Sequence, residues 1–137
     1  MHPLRTPIEL EPPTPGVVVD VFADRSAAQD WFAVQERTLS AILRHAADLG
    51  EHAHVWRLAW AMANYYHGLG NWQDWAAAQR LAVASAELLD DPAAMAYAHR
   101  GLARALTRLG EHARSEVHLH AAIVACRRMG DRAAVRR

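Results

Sequence analysis

The sequence predicts an all-α protein: an antiparallel helix-hairpin solenoid of five helices followed by a truncated sixth. Glycine follows the last apolar residue of most helical segments, as at the left-handed C-caps of α-helices. After Ser26 no alternation of apolar and polar residues with the period of two typical of strands persists beyond a few residues. A shift of 40 residues superposes the sequence on itself, and this period is the length of one helix hairpin.

Composition limits the class of protein. The 137 residues suit one domain, and the 52% apolar fraction is enough for a buried core. A net charge of zero argues against a dedicated nucleic-acid binder. The single cysteine, Cys126, points to a reducing compartment. The N-terminus has no apolar secretory segment, and no apolar run reaches membrane-spanning length. We therefore expect a cytoplasmic protein without a membrane partner.

Residues 1–25 predict an extended N-terminal arm, distinct from the repeat domain of residues 26–137. Five of the six prolines lie in this arm: Pro3, Pro7, Pro12, Pro13 and Pro15. Proline interrupts helices and holds the preceding residue in an extended conformation. The apolar run Val17–Phe22 predicts that the arm docks on the body or on a neighbouring molecule.

The first two helices have recognisable ends. Ser26 and Gln29 fit a capping box, in which side chains satisfy the free amides at a helix start. This helix ends at Leu49-Gly50. The second helix runs from about Glu51 to Gly68 and ends at Leu69-Gly70.

The remaining helices follow the same pattern. Asn71 is expected to cap a third helix over Trp72 to about Leu89. Asp91-Pro92 begins the fourth, because aspartate caps well and proline is tolerated at the first helical position. The fourth helix ends at Leu109-Gly110 and the fifth at Met129-Gly130, and Asp131 begins the sixth.

The repeat supports this division. The shift of 40 residues places Leu69-Gly70 on Leu109-Gly110, Asp91 on Asp131 and Phe32 on Trp72. The segment GLARALTRLGEHARSEVHLHAAI in the second repeat resembles a tetratricopeptide repeat. The positions that carry this resemblance are Leu102, Ala103, Leu106, Gly110, Leu119 and Ala122. Ser115 and Glu116 depart from the motif, which predicts a loosely packed hairpin.

A narrower resemblance covers most of the chain. The strings PPTPGVVVDVFADRSAAQDWFAVQERTLSAILRHAADLG and WRLAWAMANYYHGLGNWQDWAAAQRLAVASAELLDDPAAMAYAHRGLARALTRLG are similar to the tetratricopeptide region of AfsR/SARP-like, NB-ARC-containing actinobacterial transcriptional regulators. The recurrent pattern comprises Trp31-Phe32, Glu36, Leu39, Gly50, Gly70-Asn71-Trp72, Trp75 and Asp91. This resemblance implies a sensor or interaction array, either part of a regulator or derived from one. The sequence contains no GxxxxGK[ST] phosphate loop, so ATP binding is not implied.

Catalytic and metal-binding alternatives are weaker. His112, Glu116 and His120 share one helical face at a spacing that zinc sites use. Only one member of each i, i+4 pair is a histidine, however, which indicates a solvated stripe. Cys126 is predicted to face inward with Leu119, Ala122 and Ile123 as a small apolar residue. We therefore expect neither an enzyme, nor a metal site, nor a cofactor.

Two helical stripes predict a binding groove. Trp31, Trp56, Trp72 and Trp75 are expected to build the core, whereas a second stripe combines aromatic and basic residues. The candidate groove residues are Arg57, Trp60, Asn64, His67, Tyr97, Arg100, Arg104 and Arg108. The first helices of tetratricopeptide hairpins line the concave surface, so the resemblance implies that both stripes face one groove. A merely solvated arginine face is the alternative interpretation.

Two functions follow. The first is a protein-interaction module whose groove binds a protein or acidic peptide, since guanidinium groups pair bidentately with carboxylates. The second is a small-molecule effector sensor that uses the same groove. Direct nucleic-acid binding is not expected. An uncovered flank of the fifth helix, around Val117, Ile123 and Val124, predicts either self-association or docking of the arm.

Overall fold

The structure, a computed structural model, describes residues 8, 10–18 and 21–135. Of these residues, 81% are helical and none lies in a strand, which confirms the all-α prediction. The five helices are α1 (Arg25–Asp48), α2 (His52–Leu69), α3 (Trp72–Leu89), α4 (Pro92–Arg108) and α5 (His112–Val135). From α2 to α5, each helix packs against its neighbour in sequence, as in a helical-repeat fold. Within the described range, no helix has both the length and the apolar character needed to cross a membrane.

The chain divides into two compact units, Met1–Arg37 and Thr38–Arg137, and α1 runs from one into the other. In the first unit, Asp24 Oδ1 accepts a hydrogen bond of 2.8 Å from the Ala27 N–H. The helix therefore begins at Arg25, and the predicted cap at Ser26 is wrong. A carboxylate at the N-cap satisfies a free amide and also interacts favourably with the helix dipole, so Asp24 takes the position.

The described part of the arm before α1, residues 8, 10–18 and 21–24, contains a turn but neither helix nor strand. The turn is closed by a 3.1 Å bond from the Val17 N–H to the Thr14 carbonyl. Phe22 contacts Trp31 with ring centroids 5.7 Å apart. Trp31 is nevertheless 40% exposed, so its expected place in the core is wrong. The predicted arm residues 1–7, 9, 19 and 20 lie outside the described residues.

Left-handed residues end four helices at intervals of 20 positions. The residues are Gly50, Gly70, Asp90 and Gly110, with φ between 47° and 78°. After α4, the Glu111 N–H donates to the Leu106 carbonyl at 2.9 Å, which satisfies a carbonyl that the helix leaves free. The glycine ends predicted at residues 50, 70 and 110 are thereby confirmed.

The predicted starts of α3 and α4 are confirmed in position. Asp91 caps α4 by accepting a 3.0 Å bond from the Ala93 N–H, and Pro92 occupies the first helical position. Asn71 occupies the N-cap of α3, but its side chain makes no capping hydrogen bond.

The predicted end at Gly130 and the truncated sixth helix are wrong. The helix α5 continues through Gly130 and Asp131 to Val135. A glycine inside a helix costs only about 1 kcal/mol relative to alanine, and Gly130 is not in the left-handed conformation. One longer helix therefore replaces the two short ones.

Side-chain contacts fix the hairpins in antiparallel order. His52, which begins α2, lies with its Nδ1 3.0 Å from the hydroxyl of Ser85 near the end of α3. Near the end of α5, Arg128 donates at 2.9 Å to Asp90 Oδ1, just before α4. Ser115 is buried and donates at 2.8 Å to the Ala103 carbonyl. The predicted loose packing of this hairpin is therefore wrong at Ser115.

Small residues let the helices approach closely. Buried alanines are found in each of α2 to α5, and the larger core side chains, such as Tyr66, Trp75 and Leu106, fill the spaces between them. At the junction of α2, α3 and α4, buried Gln79 donates from Nε2 to the Ala59 carbonyl at 3.2 Å. Gly101 of α4 lies against the same side chain. A Cβ at Gly101 would meet Gln79 Oε1 at 2.5 Å and Cδ at 2.7 Å.

This contact predicts a sign reversal in a double-mutant cycle. Gly101→Ala in the wild-type chain should lower the free energy of unfolding by about 1–3 kcal/mol, because the Gln79 amide must move and loses its bond. In the Gln79→Ala background the same substitution should stabilise by up to about 1 kcal/mol, since only the helix propensity of alanine remains. Urea unfolding measures both values. Equal destabilisation in the two backgrounds would show that Gly101 is needed for another reason.

Candidate functional site

The helices α2 and α4 run side by side in the same direction, as two contacts show. The rings of Trp56 and Tyr97 stack with centroids 5.8 Å apart and planes 13° apart. Near the other end, Arg108 Nη2 lies 2.7 Å from His67 Nε2 and donates to it, because a guanidinium has no acceptor. Both pairs are separated by 41 residues in sequence, so residues of α2 lie beside residues of α4 at a constant offset.

All eight predicted groove residues lie on these two helices. We call them the α2–α4 surface: Arg57, Trp60, Asn64 and His67 from α2, and Tyr97, Arg100, Arg104 and Arg108 from α4. Neither helix contains an aspartate or a glutamate. Among the described residues, none of the four arginines of this surface forms an ion pair with a carboxylate. The surface therefore carries uncompensated positive charge.

Two of the four guanidinium groups rest on aromatic rings of the core. Arg104 lies over Trp75 with its Cζ 5.5 Å from the ring centroid, and Arg57 lies over Trp56 at 5.6 Å. The rings of His67 and Trp75 also meet in a T-shaped arrangement, with centroids 5.6 Å apart and planes at 82°. A cation over an aromatic face is attracted by the ring quadrupole, so these contacts orient the arginines without neutralising them.

The arginines of α4 also influence one another. Partial burial lowers the pKa of Arg104, and the nearby charges of Arg100 and Arg108 lower it further. These three guanidiniums are therefore close enough to repel. Arg100, Arg104 and Arg108 are all exposed, whereas Trp60 and Asn64 are half-buried on α2. The Nε of Arg57 is buried and has no hydrogen-bond partner among the described residues.

Helical periodicity predicts Trp56 and Trp75 only as core residues, and both are indeed buried. Periodicity does not indicate that each of these rings also supports a cation of the surface. The offset of 41 residues that pairs Trp56 with Tyr97 is close to the repeat period, so the repeat itself could have suggested this contact. The sequence contains no comparable signal for the contacts of Trp75, because its neighbours His67 and Arg104 come from two other helices.

A second cluster lies between α3, α4 and α5. The Nδ1 atoms of His99 and His118 are 3.0 Å apart, and His99 Nε2 lies 3.6 Å from Glu87 Oε1. The carboxylate favours the His99 tautomer that is protonated on Nε2, which leaves Nδ1 to accept from His118. Burial lowers the pKa of both rings. The nearby His118 lowers the pKa of His99 further, and the charge of Arg80 lowers the pKa of His118 further. The Glu87 carboxylate opposes both shifts.

The residues of the weaker alternatives do not form a site. His112, Glu116 and His120 are exposed on α5. Within the described part of the chain, no three histidine, cysteine, aspartate or glutamate side chains converge where they could hold a metal ion. Cys126 is exposed, so its inward orientation was predicted wrongly. Ser115, Ala122 and Ala125 are the buried residues of α5, and Leu119 and Ile123 are 44% and 50% exposed.

Comparisons with protein-family models, with curated proteins and with solved structures gave no match for this chain.

The histidine cluster predicts that stability falls in mild acid. A histidine whose pKa is lower in the folded protein binds fewer protons than it does in the unfolded chain, so stability rises with pH across that range. The free energy of unfolding should be fully retained above the ordinary histidine pKa of 6.5 and decrease as the pH falls below it. Each histidine can contribute at most about 1.4 kcal/mol per pH unit.

Urea unfolding at a series of pH values measures this slope. His118→Gln should flatten it, because one of the two protonation sites is lost. His120→Gln, an exposed histidine on the same helix, is the matched control and should leave the slope unchanged. The same flattening in both variants would assign the pH dependence to other groups.

Proposed function

We propose that this chain is a non-enzymatic helical-repeat module that binds an acidic segment of a partner protein on the α2–α4 surface. One observation carries the proposal: four arginines lie on two adjacent helices that contain no carboxylate. Bidentate hydrogen bonds from guanidinium groups match carboxylates of aspartate and glutamate. A partner with acidic residues would therefore neutralise charge that the chain itself leaves uncompensated.

The arrangement of the rings favours a peptide over a small molecule on this surface. Trp56 and Tyr97 stack on each other, so the two faces that meet are not available to sandwich a planar ligand. Half-buried Trp60 and exposed Arg100 instead offer contact area along the helices. An extended acidic segment can use several such contacts at once, each worth about 1–3 kcal/mol when the donor is charged and partly desolvated.

The biological setting of the proposal rests on sequence resemblance. The motifs around Trp31-Phe32, Gly70-Asn71-Trp72 and Asp91 are similar to the tetratricopeptide region of AfsR/SARP-like regulators. We place the chain accordingly in cytoplasmic signalling or transcriptional regulation, as a part or a derivative of such a regulator. Its partner would then be another protein of the same pathway. Self-association through the exposed residues Val117, Ile123 and Val124 of α5 is compatible with this role.

The test selects, from a displayed library of random peptides, those that bind the whole chain. Selected peptides should be rich in aspartate and glutamate, and replacing these residues with asparagine and glutamine should weaken binding at least about tenfold, which is about 1.4 kcal/mol. Fluorescence anisotropy of the labelled peptides measures the dissociation constants.

The double variant Arg100→Ala/Arg104→Ala should weaken peptide binding at least about tenfold at low salt, with circular dichroism and melting temperature nearly unchanged. The loss should shrink at high salt, because the wild-type contacts are screened there. Arg44→Ala/Arg127→Ala removes the same charge from exposed positions elsewhere and should bind within about twofold of wild type. Equal losses in both variants would indicate only a net-charge effect. Unfolding of the first variant would make its arginines structural, and normal binding would place the site elsewhere.

A further inference from the structure

A pocket of about 400 Å³ opens on the other side of α4, between α3 and α5. Leu102 and Leu106 of α4 form its buried floor, and Val83, Ala84 and Val117 extend the apolar wall. On a helix, residues two positions apart point about 200° away from each other. Leu102 and Leu106 therefore face away from Arg100 and Arg104, and the pocket is separate from the α2–α4 surface.

The charged groups of the pocket are two arginines. Arg80 of α3 and Arg114 of α5 complete its lining together with the imidazole ring of His118, and no carboxylate belongs to it. Arg114 is paired with Glu111 at 2.9 Å, but this pair is exposed and leaves other guanidinium donors free. Among the described residues Arg80 has no carboxylate partner, and its charge lowers the pKa of His118. The two arginines thus approach an apolar floor from opposite helices.

We infer that this pocket binds a small amphipathic carboxylate, with its apolar body on Leu102 and Leu106 and its carboxylate between Arg80 and Arg114. The volume lies in the range of about 300–1,000 Å³ that is usual for small-molecule sites. An apolar lining with a few cationic groups recognises a molecule with one anionic end, because burial of the body supplies affinity and the guanidinium groups supply selectivity. A neutral or cationic molecule of the same shape lacks the second contribution.

Octanoate is the probe, with octanol and octylammonium as matched probes of different charge. We expect saturable binding of octanoate to the full chain by calorimetry, at least about tenfold tighter than that of either matched probe. In amide NMR spectra, the shifts should be confined to α3, α4 and α5, with the residues around Leu102, Val83 and Val117 moving most. Equal affinity for octanol would contradict recognition of the carboxylate, and the absence of saturable octanoate binding would overturn the inference.

Variants locate the site. Arg80→Ala and Arg114→Ala should each weaken octanoate binding at least about fivefold, whereas Arg127→Ala, an exposed arginine of α5 outside the pocket, should leave it unchanged. Ala84→Trp should abolish binding by filling the pocket, and it should fold because Ala84 is exposed. Undiminished binding by the Ala84→Trp variant, or an equal loss in Arg127→Ala, would overturn the assignment. None of these substitutions lies on the α2–α4 surface, so the result is independent of acidic-peptide binding there.

Discussion

The regular spacing of the chain reversals is the constraint on which the rest of the structure depends. Left-handed residues at 50, 70, 90 and 110 leave α2, α3 and α4 with 18, 18 and 17 residues. Because two successive helices of equal length return the chain to its starting level, α4 begins beside the start of α2. This register brings Trp56 opposite Tyr97 and His67 opposite Arg108. Glycine stands at three of these reversals. Asp90 stands at the other one, because its short polar side chain tolerates the left-handed conformation.

Close packing of these helices determines what lies beneath the α2–α4 surface. With alanine at many helix contacts, a single large ring such as Trp75 can reach from α3 up to the side chains of α2 and α4. Arg104 therefore rests on a fully buried aromatic face, where it loses part of its hydration but gains no counter-ion. A guanidinium held in this way has less conformational freedom to lose on binding, and its interaction with an incoming carboxylate is less weakened by water.

The sequence predicted the helices well because their ends are local features. Gly70, Asp91-Pro92 and Gly110 act through their own backbone conformations, and the stripes that carry Arg57 and Arg104 follow from helical periodicity. The failures have another origin. Asp24 and Ser26 compete for one cap, and Gly130 can end a helix or continue it, so residue type does not decide either case. The pair of His99 and His118, the contact of Gly101 with Gln79, and the exposure of Cys126 depend on which faces of neighbouring helices meet, and local patterns do not contain this information.

The charge pattern of α4 supports a role in binding because it destabilises the isolated helix. Arg100, Arg104 and Arg108 follow one another at intervals of four residues, and like charges at this spacing destabilise a helix by about 0.2–0.5 kcal/mol per pair. Arg108 in the last turn offsets part of this destabilisation through its interaction with the helix dipole. Trp75 contacts Arg104 and His67 accepts from Arg108, so two of the three side chains are held in place. A glutamate in place of Arg104 would relieve the repulsion at once, since it would form ion pairs on both sides. Three arginines in succession are thus less favourable for folding than a mixture of arginine and glutamate. An anionic partner would remove the repulsion between the three guanidinium groups.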